Sequence, residues 1–153
     1  MAGTIWVAAL HLYGKTDILE LLLNTKTIDV NIAPKDEPDP TILWWAANQR
    51  DKTVFKMLLA TDRVHLDIPN ADGEPLLFWA VKANDGAVVE SLLATGKVDV
   101  DQTDSHGMTP LLLAERDERT AIAELLRAHQ QGKRTAPFHD RPDAEHSARL
   151  GVL

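Results

Sequence analysis

Apolar residues along this chain gather in paired short blocks separated by polar punctuation. Residues 104–126 (DSHGMTPLLLAERDERTAIAELL) show the pattern best. Leu111, Leu112, Leu113 and Ala114 form one block, apolar on most sides. Beyond Asp117 and Glu118, residues Ile122, Leu125 and Leu126 fall at i, i+3 and i+4, which predicts a second helix with one apolar stripe. The punctuation has a physical role. Asp104 and Gly107 suit a β-turn, because Asp hydrogen-bonds its own backbone and Gly tolerates positive φ. Thr109 can cap the following helix, and Pro110 fits its first position, where no N–H is needed. A unit of this kind cannot bury both its helices alone and needs copies of itself as neighbours.

Copies lie upstream. Gly73 precedes Gly107 by 34 residues, Ala46, Ala80 and Ala114 are spaced 34 apart, and so are Val54, Val88 and Ile122. Ile18 lies 36 residues before Val54, and the extra two residues fall in the turn-forming stretch 33–40 (APKDEPDP), where insertions are cheap. Asp29-Val30-Asn31, His65-Leu66-Asp67 and Asp99-Val100-Asp101 mark the ends of successive units. The pattern predicts an all-α solenoid of four stacked helix-turn-helix repeats joined by β-turn loops, spanning 1–33, 34–68, 69–102 and 103–130, with a tail over 131–153. Its helices are expected at 4–13 and 16–25, 41–49 and 52–61, 75–83 and 86–95, and 110–116 and 119–129.

These residues resemble the ankyrin repeat, a unit of about 33 residues made of a β-turn and two antiparallel helices. Gly107-Met108-Thr109-Pro110-Leu111-Leu112-Leu113-Ala114 corresponds to the G-x-T-P-L-H-L-A signature, and residues 122–126 to the V-V-x-L-L of the second helix. Residues 98–101 and 28–31 correspond to its A-D-V-N end. The likeness spans residue 4 to about residue 129. The third unit replaces Thr-Pro by Pro75-Leu76, and the second has Asp39 where Gly is usual. The signature His is replaced by Trp44, Phe78 and Leu112, which shifts stacking toward apolar packing. Trp45 and Trp79 are expected in the core between repeats. Trp44 and Phe78 are expected half-buried on the inner face, the alternative being exposed interaction anchors.

The resemblance implies a non-enzymatic protein-interaction module that meets its partner with turn tips and the inner face of the first helices. Carried over by position, the contact residues are Glu37, Pro38, Pro40, Asn48 and Gln49 in the second unit, Asp72, Glu74 and Lys82 in the third, and Ser105, His106, Met108, Arg116 and Asp117 in the fourth. Acid gathers at the tips, which points to a basic or polar partner segment. Residues 94–101 (ATGKVDVD) further resemble ankyrin arrays attached to large fungal intracellular receptors, which would make the chain the sensor end of a receptor-like protein. Two other readings remain open: self-association as a scaffold, and a regulatory subunit of an enzyme.

Composition narrows the chemistry. A net charge of −7 disfavours nucleic-acid backbones. No apolar run approaches the ~18–20 residues of a membrane span. The absence of cysteine removes disulfides and thiolate metal sites and fits a cytoplasmic or nuclear location. The six histidines show no ligand spacing, and no nucleophile elbow or phosphate-binding loop appears, so no catalytic residue, metal or cofactor is expected. The two ends differ. Arg119, Glu124 and Arg127 give the fourth unit the polar outer face of a cap, whereas Ile5, Trp6, Val7, Ala8, Ala9, Leu10 and Leu12 make the first helix apolar nearly all round. Missing repeats, or a second copy, would cover Trp6 and Leu10. The tail, with Pro137 and Pro142, is expected to be disordered to about Pro142, with Phe138, Leu150, Val152 and Leu153 either folding back or serving as a linear motif.

Overall fold

The computed structural model describes residues 16–25, 29–32 and 40–134. It shows seven helices, with no strand among the described residues: α1 (Thr16–Asn24), α2 (Ile42–Asn48), α3 (Thr53–Ala60), α4 (Leu76–Lys82), α5 (Gly86–Ala94), α6 (Pro110–Arg116) and α7 (Thr120–Arg134). Consecutive pairs α2–α3, α4–α5 and α6–α7 pack on each other across short connections. Like helices then stack: α4 on α6 in one row, and α1 on α3, α3 on α5 and α5 on α7 in the other. The first helix predicted at 4–13 lies outside the described residues, as does the tail from 135 onward.

Each boundary has a local cause. Thr41, Asp85 and Thr109 act as N-caps, their side chains accepting hydrogen bonds from the backbone N–H of Trp44 (3.5 Å), Val88 (3.2 Å) and Leu112 (3.2 Å). Thr41 and Pro75, predicted as first helical residues, are caps in extended backbone. Pro110 opens α6 as expected. Left-handed residues close the turns at the repeat spacing. Asp62 and Gly96 do so after α3 and α5, and Asn84 and Glu118 do so between the helices of the last two pairs. The largest departure is α7, which runs to Arg134, five residues past its predicted end at His129. The apolar stripe stops at Leu126, but Ala128, Gln130 and Gln131 favour helix and no proline intervenes before Pro137.

The core is one continuous cluster whose members repeat with the units. Ala46, Ala80 and Ala114 are fully buried where helices approach closely, and Phe55, Leu58, Val88, Leu92, Ile122 and Leu126 fill the space between the two rows. Trp45 is buried and Trp79 half-buried against this cluster. Trp44 and Phe78 correct the expectation of half-exposure, since only 4% and 0% of their surfaces reach solvent. Trp44 points toward the next pair, its ring meeting that of Trp79 edge-on at 5.9 Å between centroids, and its indole N–H donates to the Ile68 carbonyl at 2.9 Å. At that position both aromatics fill the gap between units, and the Trp44 indole makes a polar contact as well. Leu112, at the same register in α6, is 49% exposed.

Polar ties also cross from unit to unit. Asn31 donates through Nδ2 to the Arg63 carbonyl (2.9 Å) and accepts through Oδ1 from the His65 N–H (2.7 Å). Lys52 donates to the Ala47 and Gln49 carbonyls and pairs with Asp85 at 2.7 Å, where both side chains are largely buried. Lys97 pairs with Asp62 at 2.5 Å on the surface.

Candidate interaction surface

The two best-defined turns present the surface, and they are built alike. In the turn before α4, Asn70 Oδ1 accepts from the N–H groups of Asp72 (3.0 Å) and Glu74 (2.9 Å). Asn70 N–H donates to the Glu74 carbonyl (3.0 Å), and Gly73 N–H donates to the Asn70 carbonyl (3.0 Å). In the turn before α6, 34 residues on, Asp104 Oδ1 accepts from His106 N–H (2.8 Å) and Met108 N–H (2.9 Å), while Asp104 N–H donates to the Met108 carbonyl. Gly73 and Gly107 adopt φ of 75° and 73°, the left-handed region that the turns demand. Asn70 was not among the residues singled out, although its spacing from Asp104 and its Asx chemistry mark it as the same device.

Side by side, the turns enclose a groove of about 410 Å³ lined by Asp72, Glu74, Lys82, Asp104, Ser105 and His106, among others. Five of the predicted contact residues meet there. Asp72, Ser105 and His106 are exposed at the tips, and Glu74 is half-buried and ion-paired with Lys82 at the end of α4. Asp104, whose sequence position predicts only a turn-former, also contributes a wall. His106 Nδ1 lies 3.8 Å from Asp104 Oδ2.

Next to the groove, Arg116 donates to Asp117 Oδ1 at 2.8 Å and to the Met108 sulfur at 3.3 Å. Met108, Arg116 and Asp117 thus form a second cluster that does not line the groove. In the second unit, Pro40 is half-buried just ahead of the Thr41 cap, Asn48 is exposed as the last residue of α2, and Gln49 turns back to donate to the Trp45 carbonyl at 3.3 Å. These three are also apart from the groove. Glu37 and Pro38 lie outside the described residues.

The electrostatics favour fixed charge. The Met108 N–H holds the Asp104 carboxyl below its usual range; partial burial opposes this, and the His106 N–H and the charges of His106 and Lys82 assist. Arg116, by hydrogen bond, holds Asp117 down against a smaller opposing burial effect, with its charge and those of Arg119 and Lys82 assisting. Asp117 in return raises Arg116. Carboxylates shifted this way are weak bases, suited to holding or meeting cations rather than to moving protons. No group of three or more His, Cys, Asp or Glu residues among those described is placed to hold a metal ion.

No curated protein matches this chain. The family model described as ankyrin repeats (3 copies) matches residues 43–136, which covers the three complete helix pairs except Ile42 and more than half of the sequence. With the turn, the capped first helix and the stacked second helix recurring in register, the chain belongs to the ankyrin repeat family.

Proposed function

We propose that the chain is a four-repeat interaction module that binds a basic or polar protein segment through its turn tips and inner face. Ankyrin repeats are in general protein–protein interaction modules, and the family is typically non-catalytic. The observation that carries the finer reading is the groove between the turns, where tips already rigid in the free protein set Asp72, Glu74, Asp104, Ser105 and His106 around one hollow. A preformed surface loses little conformational freedom on binding. Charge reversal at Asp72 and Glu74, together with Glu37, tests it. Peptides selected on the wild type from a displayed library should lose at least about tenfold in affinity for the reversed variant, with unchanged circular dichroism. Equal affinity would remove the groove from the binding site. The phrasing of residues 94–101 supports a place as the sensor end of a larger receptor-like protein.

A second reading has its own observation. Ile18 and Leu21 on α1 are 41% and 67% exposed, although the residues at the register of Ile18 in α5 and α7, Val88 and Ile122, are buried. An apolar face at this end supports self-association through the first unit. Light scattering on the wild type and on Trp6→Asp decides it: a dimer that the substitution dissolves supports the reading, and a monomer in both sinks it.

A further inference from the structure

Aspartate or asparagine followed by glycine is where a main chain rearranges most readily, because glycine has no Cβ to keep its nitrogen away from the neighbouring side chain. The sequence holds two such bonds, Asp72-Gly73 and Asp85-Gly86, and no Asn-Gly. The fold treats them differently. The Asp85 carboxylate is held twice, by the Val88 N–H that it caps at 3.2 Å and by Lys52 at 2.7 Å, and the residue is half-buried. The Asp72 carboxylate is exposed at a turn tip and takes no hydrogen bond or ion pair from any described residue. Around Gly73 the space is open: beyond its chain neighbours no atom lies within 4 Å of where a side chain would begin. The turn itself does not need an aspartate there, since the register equivalent of Asp72 is His106, in a turn with the same hydrogen bonds.

We infer that Asp72-Gly73 is a modification site, at which the aspartyl residue passes through a cyclic imide to isoaspartate. The Gly73 nitrogen attacks Asp72 Cγ and forms an N–Cγ bond, and the amide proton and the carboxyl hydroxyl leave as water. Water then returns to the imide. Addition at Cγ restores aspartate. Addition at the Asp72 main-chain carbonyl breaks its bond to the Gly73 nitrogen, so the chain now runs through Cγ and the former main-chain carbonyl becomes a free carboxylate. No oxidant enters and the mass is unchanged. The brake is the turn. Gly73 N–H donates to the Asn70 carbonyl, and Asn70 Oδ1 holds the N–H groups of Asp72 and Glu74, so the nitrogen must first leave this frame. One exposed turn bond slows the attack about fivefold. Gly86 N–H carries no such bond, but attack at Asp85 disrupts a helix cap and a charged pair, together about fiftyfold or more, so Asp72 leads by about tenfold. The product adds a carbon to the main chain two residues before Glu74 and so displaces one wall of the groove. The chemistry holds whether or not the groove binds a partner.

Ageing the full chain near neutral pH, read by isoaspartate methyltransferase labelling and site-resolved mass spectrometry, tests this. Asp72 should accumulate isoaspartate about tenfold faster than Asp85, and N70A, which removes the side chain that frames the turn, should speed it about fivefold. In strong denaturant the two sites should age alike. Isoaspartate at Asp85 equal to or above that at Asp72 in the folded chain overturns the inference. So does an Asp72 that stays intact while the denatured chain converts, or an N70A that keeps its helical signal and ages no faster than the wild type. Should N70A unfold, the ratio of the two sites in the folded wild type decides alone.

Discussion

Asp104 shows how much one side chain determines in a turn. Its carboxylate accepts two backbone N–H groups and so holds the loop that presents Ser105 and His106. Its pKa is lowered in the folded state, chiefly by the Met108 N–H. A depressed folded pKa means that the contribution is present above the unfolded carboxylate pKa and is lost as pH falls through the folded one. Acid titration of stability should therefore show a loss that sets in below about pH 4 and is smaller in Asp104→Asn. Asn keeps the turn, as Asn70 does one unit earlier, so near neutrality Asp104→Asn should melt close to the wild type and Asp104→Ala clearly below it. Glu118 makes the opposite case. It sits at φ 56° without being glycine, so Glu118→Gly should raise stability by about 0.5–1 kcal/mol, whereas Gly107→Ala, at φ 73°, should cost roughly 1–2 kcal/mol; chemical denaturation reads both.

Between elements, burial outweighs surface charge. Leu92 and Leu126 are essentially inaccessible in the row of second helices. Leu92→Ala and Leu126→Ala should each cost about 2–5 kcal/mol as large-to-small changes, and Leu92, with neighbours on both sides, should also broaden the unfolding transition. Lys97→Ala, which removes only an exposed pair with Asp62, should cost no more than about 1 kcal/mol; equal losses for Lys97 and Leu92 would refute the core assignment. Lys52 differs from Lys97. It ties two carbonyls at the end of α2 to Asp85 on the next unit, so Lys52→Ala should cost about 1.5–3 kcal/mol in the same measurement. The repeat spacing gave no sign of Lys52, because its register equivalents are Gly86 and Thr120.

At the scale of the molecule, the architecture was legible because spacing, caps and apolar stripes reported the same constraint. Thr109, Pro110, Gly73 and Gly107 do what their chemistry predicts, and α6 has the predicted bounds. The setting of the proposed contact residues was legible only in part. Position in the repeat placed Asp72, Glu74, Lys82, Ser105 and His106 at one groove, but spacing along the chain carries nothing about which side chains pair with each other. That is why the Arg116–Asp117 and Glu74–Lys82 pairs, which neutralise part of the strip, emerge only from coordinates. The burial of Trp44 was hidden for the same reason. Its neighbour Trp79 is 35 residues away, and only the packing of one helix pair on the next brings the rings together.

That ring pair gives the array its own optical gauge. Two indoles held edge-to-face at 5.9 Å across a junction between units couple their transitions, and the coupling vanishes once the junction opens. The near-ultraviolet circular dichroism of Trp44 and Trp79 should report the parting of these two units separately from the loss of helix. Trp79→Phe should erase the coupled band while the far-ultraviolet spectrum stays in place. An array that frays from one side would then show the band and the helical signal melting at different temperatures, so the direction of unravelling becomes visible without any added label.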